Sequence, residues 1–190
     1  MRIFNLSLAA IFVLSSTAAF SATADLTGAY ASYCTEADGR VEQMPALFST
    51  QAGRVTGTTK PFCTFSVDHG FIAIGLEAFA SDVPSIAATY MKTLQEVTED
   101  SPLWKGKYTN PSLNVCLNLG GTTIGFVANG GFTNPLGESD ICVFGDGSMV
   151  SAWSLIYMAN HRDGYDHIKN QVKATPMVIS IPSQIENASQ

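Results

Sequence analysis

The chain has 190 residues, and its 16 acidic side chains outnumber its 10 Lys and Arg side chains to give a formal net charge of −6. The basic residues do not cluster, so charge argues against nucleic acid and anionic membrane surfaces as partners. A chain of this length can bury its core as one domain or as two small ones.

Residues 1–24 have the features of an export signal. Arg2 supplies a positive start, Leu6 to Leu14 form an apolar core, and Ala22-Thr23-Ala24 places small residues where a signal peptidase cleaves. The apolar core is shorter than the roughly 20 residues that a membrane span needs. We therefore expect cleavage before Asp25, a periplasmic or secreted location, and no integral membrane segment in the remaining chain.

The cysteines of the chain are Cys34, Cys63, Cys116 and Cys142. An even number of cysteines in an exported chain predicts two disulfides, because the destination is oxidising. No Cys-x-x-Cys pair is present, so a redox motif or a zinc knuckle is not indicated. Four cysteines allow three pairings, and their number alone does not choose between them.

The first half of the mature chain, residues 25–100, opens with a predicted helix that begins near Leu26 and ends at Asp38-Gly39, where glycine accepts a positive φ. The elements predicted next are a strand within Arg40–Val55, a loop marked by Gly53, Gly57 and the run Thr58–Pro61, and a strand over Phe62–Val67. A turn at Asp68-His69-Gly70 and a strand or a helix over Phe71–Phe79 follow. A helix is predicted over Asp82–Val97, with Asp82 as its cap and Pro84 in its first turn.

The second half, residues 101–173, opens with a polar linker, and a helix follows with Asn110 as its cap and Pro111 at its first position. The later predictions are a strand over Thr122–Ala128, a turn at Asn129-Gly130-Gly131, a strand over Asp140–Phe144, a tight turn at Gly145–Ser148, and a helix over Val150–Met158. The remainder, residues 174–190, holds one strand candidate at Met177–Ile181 and a polar tail.

The two halves contain an internal repeat. The segment Cys34-x-x-x-Asp38-Gly39 corresponds to Cys116-x-x-x-Gly120-Gly121, and Cys63-Thr64-Phe65 corresponds to Cys142-Val143-Phe144. If each unit closes its own bridge, the disulfides are Cys34–Cys63 and Cys116–Cys142; the rival pairing links the two units. The predicted fold is α+β, with two tandem disulfide-stapled units of helix, strand, strand and helix packed side by side.

Asn110 to Met158 resembles the family of small exported bacterial domains labelled "putative hemolysin". The resemblance rests on Asn110-Pro111, Cys116, Gly120-Gly121, Cys142, Asp146-Gly147-Ser148 and Trp153. The chain departs from the family pattern at Gly145, where Pro is usual, and at Val150, where Cys is frequent. The resemblance implies an exported domain of unknown function without established catalytic residues. The label alone suggests a membrane-active protein, although the chain shows no long amphipathic hairpin or helix.

One polar segment is a candidate metal site. Its possible ligands are His161, Asp163, Asp166 and His167. Two imidazoles and two carboxylates within seven residues suit a borderline metal ion, but their spacing fits no established ligand pattern, and a solvated loop is the simpler interpretation. A metal-binding protein or a metal-dependent hydrolase is therefore an alternative function.

No other group of residues predicts catalysis. We expect every cysteine to be bridged, and no Gly-x-Ser-x-Gly motif occurs. Trp153 is predicted to lie in the core, whereas Trp104 in the polar linker is the candidate contact residue. The function expected from the sequence is an exported, non-enzymatic module without a cofactor, binding a protein or a component of the cell envelope.

Overall fold

The structure is a computed structural model that describes residues 18–68, 70–128 and 137–180, with side chains from residue 27 onward. The helices are α1 Ala18–Glu36, α2 Leu76–Ala80, α3 Ile86–Thr93, α4 Pro111–Asn118, α5 Ala152–Ala159 and α6 Tyr165–Gln171. The strands are β1 Arg40–Thr50, β2 Gly53–Val67, β3 Gly70–Gly75, β4 Thr122–Val127, β5 Glu138–Val143 and β6 Met149–Ser151. Most of the predicted export signal, His69 and the predicted turn at Asn129-Gly130-Gly131 lie outside the described residues.

The strands form one closed antiparallel barrel in the order β1-β2-β3-β6-β5-β4, which returns to β1. The predicted arrangement of two separate helix-strand-strand-helix units is therefore wrong, because each half contributes three strands to a shared barrel. The third strand of each half lies in an apolar run, Phe71–Phe79 or Val150–Met158, which begins as a strand and continues as a helix. Periodicity does not separate two short elements within one apolar run.

Alternating residues of the strands divide the apolar side chains between two cores. Phe71 and Ala73 of β3 belong to a core made only of strand residues, whereas Ile72 and Ile74 belong to a larger core that includes the helices. Successive side chains of a strand point to opposite faces of its sheet. The first core therefore fills the barrel, and the second holds the helices against the outside of the barrel.

The disulfides are Cys34–Cys63 and Cys116–Cys142, which confirms the pairing predicted from the repeat, and no cysteine is free. Each bridge ties a helix to the middle strand of its half, α1 to β2 and α4 to β5. The C-terminal ends of α1 and α4 also form equivalent hydrogen bonds. The Gly39 amide donates a hydrogen bond to the Cys34 carbonyl, and the Gly121 amide donates one to the Cys116 carbonyl, both at 2.9 Å.

The two halves are joined across the barrel rather than placed side by side. Ile74 of β3 pairs with Val150 of β6 between the halves. The α3 helix of the first half begins against the β5–β6 turn of the second. In return, Gly164 and Tyr165 at the start of α6 lie against Val67 and Gly70, the residues that flank the β2–β3 turn. Each half therefore stabilises the other.

Three local predictions are corrected by the structure. The residues predicted as a loop, Gly57–Pro61, belong to β2. The helix predicted over Asp82–Val97 is shorter, and Ser85 caps it through a hydrogen bond from the Ala88 amide. Residues 177–180 form no strand. By contrast, Asn110 caps α4 with Pro111 in its first turn, as predicted.

Candidate binding surface on the β1–β2 hairpin

The β1–β2 hairpin extends past the strands on either side of it. The two strands pair from Arg40 and Thr64 to Thr50 and Gly53 at the tip. On one side, β3 pairs only with residues 62–67; on the other, β4 pairs only with Ala46 and Leu47. Residues 48–56 and 58–60 are exposed. The outer part of the hairpin is therefore a projection from the barrel wall.

The projection carries exposed apolar side chains. Phe48 is 44% exposed and Val55 is 50% exposed. They are direct cross-strand partners, so their side chains share one face of the hairpin. The register shifts near Gly57, where a side chain would come within 2.4 Å of the Phe48 ring. Glycine at this position allows the aromatic ring to lie flat against the strand.

One edge of β2 has no strand partner among the described residues. The strand has 15 residues, and β3 pairs with six of them, which leaves nine, residues 53–61, unpaired on that side. An unpaired edge presents a row of backbone N–H and C=O groups to any extended chain beside it. The outer part of β2 can therefore form backbone hydrogen bonds with a further strand.

A cleft of about 560 Å³ adjoins this edge. Its lining residues are Lys60, Pro61, Gly75, Leu76, Glu77, Ala78, Val83, Pro84, Ser85, Asp146, Gly147, Ser148 and Met149. Lys60 and Pro61 belong both to the cleft and to the unpaired edge. Val83 is 69% exposed and adds a further apolar surface. The cleft combines apolar walls with a few charged groups, as binding sites for peptide side chains commonly do.

The polar groups at the rim of the cleft are occupied by the fold. The Ile86 amide donates to Asp146 Oδ2 at 2.7 Å, and the Ala87 amide donates to Ser148 Oγ at 2.9 Å. Burial acts to raise the pKa of the Asp146 carboxyl, but hydrogen bonds from the Ser148 hydroxyl and from backbone amides hold this pKa below its ordinary value. The start of α3 therefore has its donors satisfied and is not an anion site.

A smaller cleft of about 270 Å³ lies beside β4 and β5. It is lined by Tyr108, Leu113, Leu117, Thr122, Thr123, Gly125 and Asp140. Burial raises the pKa of the Asp140 carboxyl, and Asn110 Nδ2 lies 3.4 Å from its Oδ2. The open edge beside this cleft is short, since residues 122–124 of β4 lie outside its pairing with β1, whereas nine residues of β2 lie outside its pairing with β3. The hairpin surface therefore offers the longer strand edge.

The four residues considered as metal ligands do not converge on one point. His161 Nδ1 pairs with Asp166 Oδ2 at 2.9 Å, whereas His167 Nε2 lies 2.8 Å from Gln171 Nε2. Asp163 is exposed. Within residues 18–68, 70–128 and 137–180, no group of three His, Cys, Asp or Glu side chains is placed to hold a metal ion.

Trp104 and Trp153 belong to one aromatic cluster. Both are half-buried, and their ring centroids lie 6.4 Å apart in an edge-on arrangement. Trp153 also stacks on Tyr157 at 5.4 Å, and the Arg162 guanidinium lies over the Tyr157 ring. Asn114 orients the Trp104 segment by donating from Nδ2 to the Trp104 carbonyl at 3.2 Å. Trp104 thus packs against Trp153 and is not an isolated exposed side chain.

Sequence reasoning missed the hairpin surface. The signal available was the set of four β-branched residues Val55, Thr56, Thr58 and Thr59, which favours a strand over the loop that Gly57 and Pro61 suggested. Exposure of Phe48 cannot be recognised from sequence, because single apolar residues near glycine are common in cores and on surfaces alike.

The chain matches no known protein family, no curated protein and no solved structure. The resemblance to the hemolysin-labelled family therefore stays a prediction. In the structure, its Asp146-Gly147-Ser148 motif supports helix α3 and closes the β5–β6 turn. Across the part of the chain that is described, no helix has both the length and the apolar character that crossing a membrane requires.

Proposed function

We propose that this chain is an exported, non-enzymatic binding module whose partner is a protein, contacted through the outer β1–β2 hairpin and the adjoining cleft. The observation that carries the proposal is the exposed pair Phe48 and Val55 on a projection that has an unpaired strand edge. Apolar side chains on a projecting element are available for contact with another molecule. The barrel and the two disulfides support the projection on a rigid base.

A protein fits this surface better than the other partner classes. The net charge of −6 disfavours polyanions such as nucleic acid. The described strand edge offers backbone hydrogen bonds, which a protein segment is able to complete along its whole length. Lipids and polysaccharides do not repeat peptide N–H and C=O groups at the spacing of a strand edge.

Catalysis has less support than binding. All four cysteines are bridged, so none is a nucleophile. His161 is held against Asp166 in an exposed position, away from the cleft that Lys60 and Asp146 line. A metal-dependent activity needs further ligands beside His161 or His167, and the described residues do not bring them together.

Site-specific photo-cross-linking tests the proposal. A photoreactive amino acid at Thr56, on the hairpin, is expected to form an adduct with one protein of the envelope fraction. The same amino acid at Glu99, an exposed residue of the linker before α4, serves as the matched control and is expected to form none.

The captured protein is then purified and its binding to the oxidised chain is measured. The double variant F48T/V55T is expected to lose this binding while its free energy of unfolding stays within about 1 kcal/mol of the parent, because both side chains are about half exposed and threonine is well tolerated in strands. Adducts formed equally from Thr56 and Glu99, or binding that survives F48T/V55T, would contradict the proposal.

A further inference from the structure

We infer that the partner binds as an added β-strand along the unpaired edge of β2, residues 53–61, with one apolar side chain in the cleft between β2 and α2. This inference rests on the proposed function and specifies its mode of recognition. The partner segment is extended, carries apolar side chains at alternating positions, and has an acidic side chain facing Lys60.

Binding as an added strand is possible because β3 ends before β2 does. Phe62 pairs with Gly75, and the chain then leaves the sheet as helix α2. The nine residues of β2 that precede Phe62, residues 53–61, therefore have no partner strand on the β3 side among the described strands. Strand addition satisfies such a row of N–H and C=O groups, and pockets for alternate side chains give it specificity.

The cleft lies where the first side chain of an added strand would reach. Lys60 and Pro61 form the inner end of the open edge and also line the cleft. The apolar wall opposite them comes from Leu76, Val83 and Met149. Every second side chain of an added strand lies on the same face, so a second apolar side chain of the partner, an even number of positions from the first, falls on the face that carries Lys60, Phe48 and Val55.

Charge decides between a foreign segment and a second copy of this chain. The open edge carries Arg54 and Lys60 and no acidic residue. Arg54 is ion-paired with Glu138, whereas the Lys60 ammonium has no ion-pair partner within residues 18–68, 70–128 and 137–180. Full antiparallel overlap of two such edges, centred on Gly57, places Arg54 of one copy opposite Lys60 of the other, and like charges opposed across strands are destabilising. An acidic segment has the complementary charge.

A random twelve-residue peptide library selected on the full oxidised chain supplies the probe. Selected peptides are synthesised with single N-methyl groups, which remove one backbone N–H at a time. We expect N-methylation at alternating positions to weaken binding by about tenfold and at the intervening positions to leave it nearly unchanged, because only every second N–H of an added strand faces β2.

Two charge variants complete the test. Lys60→Glu is expected to weaken binding of the selected peptide several-fold. The difference in affinity between the parent chain and this variant is expected to shrink at high salt. Lys105→Glu, which reverses the charge of an exposed lysine outside the cleft and the hairpin, is the matched control and is expected not to weaken binding. Far-ultraviolet circular dichroism of each variant establishes that the fold is retained.

The outcomes separate this inference from the proposed function. A cross-linked partner protein together with peptides that show no alternating N-methyl effect overturns strand addition and leaves the proposed function standing. A library that yields no binder dependent on Lys60 also overturns the inference. Light scattering that shows a dimer of the parent chain strengthened by Lys60→Glu, which replaces the Arg54–Lys60 repulsion with an attraction, assigns the edge to a second copy and overturns the inference as well.

Discussion

The carboxylate of Asp146 accepts a hydrogen bond from the backbone amide of Ile86, at 2.7 Å and across 60 residues of sequence. Asp146 lies in the turn between β5 and β6, whereas Ile86 begins α3 in the other half of the chain. The bond therefore provides a helix cap from a distant segment, and it is one of the contacts that join the two halves into one barrel with its helices.

The Asp146 cap predicts a dependence of stability on pH. The folded state holds the pKa of this carboxyl below its unfolded value of about 3.8, so the stabilisation is present above that pH and is lost as pH falls through the lower folded pKa. Asp146→Asn keeps an acceptor but does not titrate. We expect the variant to lose stability less steeply than the parent below pH 4, by less than about 1 kcal/mol because the carboxylate is exposed.

Urea unfolding at pH 7 and at pH 2.5 checks this prediction. Glu99→Gln, which removes an exposed carboxylate without a helix-capping contact, is the control and should follow the parent. Asp146→Ala removes the acceptor itself and should cost about 1 kcal/mol at pH 7. Equal acid sensitivity of the parent and Asp146→Asn would show that the carboxylate is not linked to folding.

The glycines that follow the first helix of each half predict a second effect. A side chain at Gly121 would come within 2.5 Å of Cys142 Sγ, and one at Gly39 within 2.6 Å of Cys63 Sγ. Gly39→Ala and Gly121→Ala should each destabilise the fold by about 1–3 kcal/mol through overpacking. Gly145→Ala, which meets nothing within 4 Å, is the matched control, and thermal unfolding of the three variants decides the matter. A neutral Gly121→Ala would contradict the close packing of Gly121 against the Cys116–Cys142 disulfide.

The two disulfides should stabilise the protein to a similar extent. Their sequence separations are 29 and 26 residues, so the loop-entropy account gives each about 3–4 kcal/mol. We expect the double variants C34A/C63A and C116A/C142A to lose comparable free energy of unfolding in urea. Non-reducing peptide mapping of the parent establishes the pairing first. A cross-linked peptide that joins Cys34 to Cys116 or to Cys142 would contradict the structure.

Some features of the fold could be predicted from the sequence and others could not, and each case has a physical reason. The cysteine repeat predicted the disulfides because covalent pairing follows equivalent positions in two similar segments. Asn110 and Pro111 predicted the start of α4 because capping is a local interaction. The barrel was not predictable, since the pairing of Ile74 with Val150 is a long-range contact between two uniformly apolar runs.

The candidate surface was missed for a related reason. Gly57 and Pro61 are turn residues in most contexts, and here they lie in a strand that pairs with β1 on both sides of the register shift. The β2 edge is unpaired because β3 ends at Gly75, and the residues of β2 themselves do not predict where β3 ends. Strand edges and exposed apolar faces are properties of the assembled barrel.

Hydrogen exchange of the complex with the captured protein, or with a selected peptide, tests strand addition at β2 most directly. Backbone amides within residues 54–60 are expected to gain protection on binding, while the amides of residues 62–67, already paired with β3, change little. Protection that appears instead around Trp104 and Trp153, with the β2 edge unchanged, would contradict it.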